Sequence, residues 1–138
     1  MENMSYDQKI GMMSEMMDKC FANISWEQKE RIKNYMMPKI APYFMQAGAF
    51  NPNNPEEMVH RTFENVGNNA KLSIIHEMMP IVMRSMMDVM MANSPDHEKD
   101  RMMNEMSGKF FTNMSDDEKI GIMYHMMPKM IKYMMGGN

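Results

Sequence analysis

The most constraining feature of this chain is a short motif that occurs three times. Met-Met-Pro stands at 36–38, at 78–80 and at 126–128. A Phe-x-Asn segment precedes each motif at the same distance, at 21–23, 63–65 and 111–113. The copies align between these points without a gap. Repetition of this kind is typical of a chain built from one supersecondary unit used several times.

Each copy predicts two helices joined by a tight turn. Apolar residues recur every three or four positions, as in Ile10, Met13 and Met17, and no segment alternates in the manner of a strand. Ser5 and Ser25 each precede a glutamine by three residues, which is the spacing of a capping box. The predicted helices span 5–21, 25–46, 55–66, 69–92, 95–112 and 115–135.

These helices predict an all-α fold in a single domain, 1–138. We expect a six-helix bundle made of three antiparallel hairpins, with repeat 1 at 1–47, a linker at 48–54, repeat 2 at 55–92 and repeat 3 at 93–138. A proline inside a helix removes one backbone hydrogen bond and costs about 3 kcal/mol. The second helix of each hairpin is therefore predicted to kink at Met-Met-Pro. The kink serves either to bend the helix around its neighbours or to open a shared cavity.

Methionine accounts for 27 of the 138 residues, and Leu72 is the only leucine. Methionine must therefore supply much of the core. Its flexible thioether side chain also adapts to varied apolar partners and can bind soft metal ions. The same residues are thus candidates for packing and for a binding site.

The first functional hypothesis is a non-catalytic binding protein. A methionine-lined groove or cavity would hold an apolar partner helix or a hydrophobic cofactor, and the cofactor is left open between haem and Cu(I). The candidate ligand-binding residues are those at or near the three prolines: Met36, Met37, Met78, Met79, Met83, Met87, Met123, Met126, Met127 and Met130.

The alternative hypothesis is a soft-metal protein that binds Cu(I) or Ag(I) through thioether clusters. His76 is the only histidine with a methionine at ligand spacing, so the candidate ligands are His76, Met79, Met83 and Met87. The other histidines each have a charged residue four positions on. Cys20 is the only thiol, and we expect it to be a small buried hydrophobe.

Several other classes of function are not expected. The chain has no phosphate-binding glycine loop, no HExxH, no Cys-x-x-Cys and no nucleophile elbow, so we predict that it is not an enzyme. A net charge of −3 with mixed signs gives no reason to expect nucleic acid as a partner. No apolar run reaches the roughly 18 residues of a membrane span. The first residues lack the pattern of a signal peptide, so we expect a cytoplasmic protein.

Overall fold

The computed structural model describes residues 4–51 and 53–135. Its helices are α1 (Tyr6–Ala22), α2 (Trp26–Ala47), α3 (Pro55–Phe63), α4 (Asn68–Met90), α5 (Asp96–Phe111) and α6 (Asp116–Met135). Over these two stretches the chain contains no β-strand, so the predicted all-α class is confirmed. The bounds agree with the predicted ones to within three residues. The largest difference is at α3, which stops at Phe63 because the chain turns there before Gly67 caps α4.

The helix starts show why local sequence predicts these elements well. Ser5 and Ser25 each form the predicted capping box with the glutamine three residues on. Asn54 caps α3 by accepting a hydrogen bond from the Glu57 amide. Helix α5 begins at Asp96 without a side-chain cap, because Pro95 occupies the cap position.

Packing between helices differs from the predicted antiparallel hairpins. The long helices α2, α4 and α6 contact one another, and the shorter helices lie around them. Helix α1 packs against α4 and α6, α3 packs against α2 and α6, and α5 packs against α4. The predicted hairpin pairs α1–α2, α3–α4 and α5–α6 are therefore not the extensively packed ones, whereas the consecutive helices α4 and α5 are. The apolar face of α1 shows the reason, since Phe21 stacks on Tyr133 of α6, with ring centroids 5.9 Å apart, rather than on α2.

The repeated prolines all lie inside long helices, with Pro38 in α2, Pro80 in α4 and Pro128 in α6. Their surroundings differ. Pro38 and Pro80 are exposed, whereas Pro128 is buried. The three motifs therefore do not open onto one common cavity through their prolines.

Methionine forms half of the buried apolar side chains, and the remainder are mostly isoleucine and phenylalanine. A few buried polar contacts hold the surrounding helices in place. Lys9 of α1 is only 3% exposed, and its ammonium group donates hydrogen bonds to the carbonyls of Phe110 and Thr112 at 3.0 and 3.1 Å. Lys9 thus satisfies carbonyl groups at the end of α5. Among the described helices, none is long and apolar enough to cross a membrane.

Candidate functional site

Six of the ten predicted methionines meet between α4 and α6. They line a crevice of about 20 Å³ whose remaining walls are isoleucine and valine. These methionines are Met78, Met79, Met123, Met126, Met127 and Met130. A space of this size is close to the minimum that holds one water molecule. The crevice is therefore a thioether-rich gap in the core rather than an open groove.

The other four predicted methionines lie elsewhere. Met36 and Met37 line a separate crevice of about 10 Å³ between α2 and α6, together with Met130. Met83 and Met87 are buried in the core and line neither crevice. Ligand pockets for drug-sized molecules measure about 300–1,000 Å³. A haem-sized ligand would therefore need these side chains to move apart.

The proposed metal ligands do not share one environment. His76 is exposed, and its ring lies 6.5 Å from the ring of Phe111. Met79, Met83 and Met87 are buried. Within residues 4–51 and 53–135, no group of three or more histidine, cysteine, aspartate or glutamate side chains could hold a metal ion.

Cys20 is buried as expected, and burial raises the pKa of its thiol. A raised pKa leaves less thiolate at neutral pH, and the thiolate is the form that attacks and binds metals. Cys20 thus has the setting of a core residue.

An open cleft of about 330 Å³ lies between α2, α4 and α5, at a place that the motifs did not indicate. It forms where α5 packs along α4 without packing extensively on α2. Ile32, Ile81 and Met103 contribute apolar walls, and the half-exposed Tyr35 contributes an aromatic ring. The volume falls in the range of small-molecule pockets.

Arg84 organises the charges at the α4–α5 side of this cleft. Its guanidinium group donates hydrogen bonds to Asp88 at 3.2 Å, to Asp96 at 2.9 Å and to Asp100. The hydrogen bond to Asp88, followed by the charges of all three carboxylates, raises the pKa of Arg84 above its ordinary value. Lys99 also donates to Asp88, at 3.2 Å. Two cationic groups on this side therefore face three carboxylates, so the side keeps a net negative charge although each carboxylate is paired.

Arg31 stands on the opposite side of the cleft and is in a different situation. It is exposed, lines the cleft, and forms no ion pair with any residue that the structure describes. The cleft thus combines apolar walls, an acidic side whose carboxylates are ion-paired, and one guanidinium group that is open to a ligand. Comparison with protein-family models, with curated proteins and with solved structures gave no match.

One sequence signal could have indicated this cleft. Arg84 and Asp88 stand four residues apart on a helix that is otherwise strongly apolar, and such a pair marks one polar stripe on that helix. The open space beside it had no signal in the sequence, because it depends on where α5 lies relative to α2.

Proposed function

We propose that the protein is a non-catalytic binding protein, and that its ligand is a small apolar molecule with a single negative charge. The ligand would occupy the cleft between α2, α4 and α5. The observation that carries this proposal is Arg31, which lines an apolar-walled cleft and has no ion-pair partner within residues 4–51 and 53–135.

The walls favour a hydrocarbon or aromatic body. Ile32 is buried, Ile81 is half-buried, and both contribute aliphatic surface to the cleft. Covering such surface gains about 25 cal/mol for each Å² removed from water. Met103 is partly buried and flexible, so it can adjust its shape to different ligands.

The charges favour a monoanion in one orientation. A carboxylate can form two parallel hydrogen bonds with the guanidinium group of Arg31. Arg84 already serves three carboxylates and offers little further positive charge. Asp88 and Asp100 lie on the far side of the cleft and would repel a second negative charge. The charged end of the ligand therefore belongs at Arg31 and the apolar end against α4 and α5.

The remaining polar groups support binding rather than bond-making chemistry. Ser85 is the one serine, threonine or cysteine among the described lining residues, and its hydroxyl donates to the carbonyl of Ile81 at 2.9 Å. Asp88, the nearest carboxylate along α4, is bonded to both Arg84 and Lys99. Neither group is arranged as a nucleophile beside its base.

Octanoate and 1-octanol test this proposal as a charged and an uncharged probe of the same length. We expect octanoate to shift the amide resonances of the cleft residues and to bind more tightly than the alcohol. Arg31→Gln should weaken octanoate about tenfold, which corresponds to about 1.4 kcal/mol, and should leave 1-octanol unchanged. Arg101→Gln is the matched control, because Arg101 is an exposed arginine that does not line the cleft. Equal binding of octanoate by the wild type and Arg31→Gln would contradict the proposal.

Soft-metal binding is a second candidate, and the crevice between α4 and α6 favours it. Six thioether side chains surround a space that is large enough for one ion. Titration with Ag(I), followed through the methionine methyl resonances, should shift those of Met79 and Met127 first. Met127→Leu should weaken this binding, whereas Met13→Leu, in α1, should not. Uniform shifts of all methionine methyl groups would indicate nonspecific binding instead.

We also propose that the three sequence repeats form equivalent units and that each second helix bends at its Met-Met-Pro. The mutual contacts of α2, α4 and α6, each with an internal proline, support this proposal. Residual dipolar couplings along α4 would measure the bend. Pro80→Ala should straighten the helix, and an unchanged helix direction would count against a proline-induced kink.

A further inference from the structure

A second cleft of about 330 Å³ lies where α2 and α3 end. Tyr43 and Gln46 line it from α2, and Arg61 and Thr62 line it from α3. Thr62 is only 4% exposed, and its hydroxyl oxygen has no hydrogen-bond partner within the part of the chain that the structure describes. Buried polar groups are normally paired, so an unpaired hydroxyl beside a cleft indicates a missing partner.

The hydroxyl group of Thr62 has no counterpart at the equivalent positions of the other two sequence repeats. In the alignment of the three sequence repeats, Cys20 and Phe110 stand at the position of Thr62. Both are buried apolar residues. A polar side chain is therefore not required for packing at this position, and it occurs in the copy that has the cleft.

The charges around this cleft favour a cation. Helices α2 and α3 both end beside it, at Ala47 and Phe63, and each carboxyl-terminal end carries about half a negative charge. Glu64 adds a full negative charge to the lining. Arg61 is the opposing cation, and it is paired with Glu57 at 3.4 Å, one helical turn back. The sum of these charges is negative.

We propose that this cleft binds a small organic cation with a primary ammonium group. The ammonium group donates one hydrogen bond to the Thr62 hydroxyl oxygen, and Glu64 and the two helix ends balance its charge. The carbon chain lies against the ring of Tyr43, which is half-buried and packs on Phe63 with ring centroids 5.5 Å apart. The aromatic ring thus offers apolar surface to the carbon chain.

Butylammonium and tetramethylammonium separate the hydrogen bond from the charge, because only butylammonium has an N–H group. We expect butylammonium, added to the full chain at low salt, to shift the amide resonances of 43–47 and 61–66. Thr62→Val keeps the shape of the side chain and removes the hydroxyl. It should weaken butylammonium about tenfold and leave tetramethylammonium unchanged, whereas Glu64→Gln should weaken both.

Thr112→Val is the matched control, because Thr112 is a half-buried threonine at the end of α5 that does not line this cleft. It should bind both probes as the wild type does. The proposal is overturned if butylammonium leaves residues 43–47 and 61–66 unperturbed, or if Thr62→Val binds butylammonium as tightly as the wild type. Removing an unpaired hydroxyl should not unfold the chain, and Glu64→Gln provides an independent test on the surface.

Discussion

The buried ammonium group of Lys9 provides the sharpest test of how this fold is held together. Lys9→Met keeps an unbranched side chain of similar length and removes the charge and all three donors. The carbonyl of Phe110 would then be left without this donor in a buried position, and that of Thr112 in a partly buried one. Net hydrogen bonds to charged groups contribute about 1.5–3 kcal/mol each, and the partly buried one belongs at or below the lower limit.

We expect Lys9→Met to lower the free energy of unfolding by about 3 kcal/mol, since the end of α5 also loses a favourable positive charge. For a domain of this size, that loss corresponds to a decrease in Tm of about 9–12 °C. Urea unfolding followed by circular dichroism measures the free energy directly. The slope of the transition should stay unchanged, because the folded state buries the same surface.

Lys109→Met is the matched control, because Lys109 is an exposed lysine in the last turn of α5. Its effect should stay within about 0.5 kcal/mol, as is usual for surface substitutions. If Lys9→Met changed stability by less than 1 kcal/mol, roughly what one ordinary hydrogen bond contributes, the two bonds from Lys9 would not hold α5 in place. Our account of α1 and α5 would then be wrong.

Four further predictions concern other polar contacts. Thr62→Val should raise the free energy of unfolding by about 1 kcal/mol, measured in urea, because it removes an unpaired buried hydroxyl. The hydrogen bond from Tyr133, followed by that from Lys129, lowers the pKa of Asp18. The contribution of Asp18 to the free energy of unfolding is therefore present above the unfolded pKa, near 4, and is lost as the pH falls through the lower folded pKa. The difference in Tm between the wild type and Asp18→Asn should accordingly shrink as the pH falls below the unfolded pKa of Asp18. Burial, followed by the hydrogen bond to Asp18, raises the pKa of Tyr133 to about 12. Its contribution to stability is thus present below pH 10 and is lost as the pH rises towards 12, and ultraviolet titration should show one tyrosine ionising near pH 12. Arg84→Met should speed amide exchange in the first half of α5 and lower stability by about 1 kcal/mol, less at high salt, because its ion pairs are partly exposed.

Local sequence predicts the helices of this fold because their determinants are local. Capping boxes and the spacing of apolar residues act within one or two turns, and both are visible in the chain. The packing partners were not predictable in the same way. Both α2 and α6 present an apolar face at helical spacing, and that spacing alone does not favour α6 over α2 as the neighbour of α1. In the structure, Phe21 of α1 stacks on Tyr133 of α6, and these two residues are more than 100 positions apart in the sequence.

For the candidate sites, too, the sequence indicates some residues but not the spaces between them. Met78 and Met127, which belong to two of the repeated motifs, line one crevice. The volume between them depends on packing distances that a spacing pattern does not contain. The cleft at Arg31 exists because α2 and α5 do not pack extensively on each other. No residue type or spacing in the sequence indicates such a gap.

One signal for a buried contact was present in the sequence and was missed. Helices α1 and α5 share methionines at matching positions 90 residues apart, as in Met12 and Met102, and the same register pairs Lys9 with Lys99. Both lysines are buried, and both donate hydrogen bonds to a neighbouring helix or its end. A lysine that recurs inside an apolar repeat is thus a sign of a structural ammonium group in this chain.

The methionine core also changes how order is distributed in the folded chain. Immobilising a methionine side chain costs about 1.5–2 kcal/mol of rotamer entropy, against about 0.5–1 kcal/mol for leucine. A core in which methionine supplies half of the buried apolar side chains therefore favours a folded state whose interior side chains keep exchanging rotamers. The fixed points of such a protein are its capping boxes, its buried lysines and the ion pairs of Arg84. Directional polar contacts thus specify the path of the backbone, while we expect the sulfur-rich interior that fills the space between the helices to exchange rotamers more readily than a leucine core would.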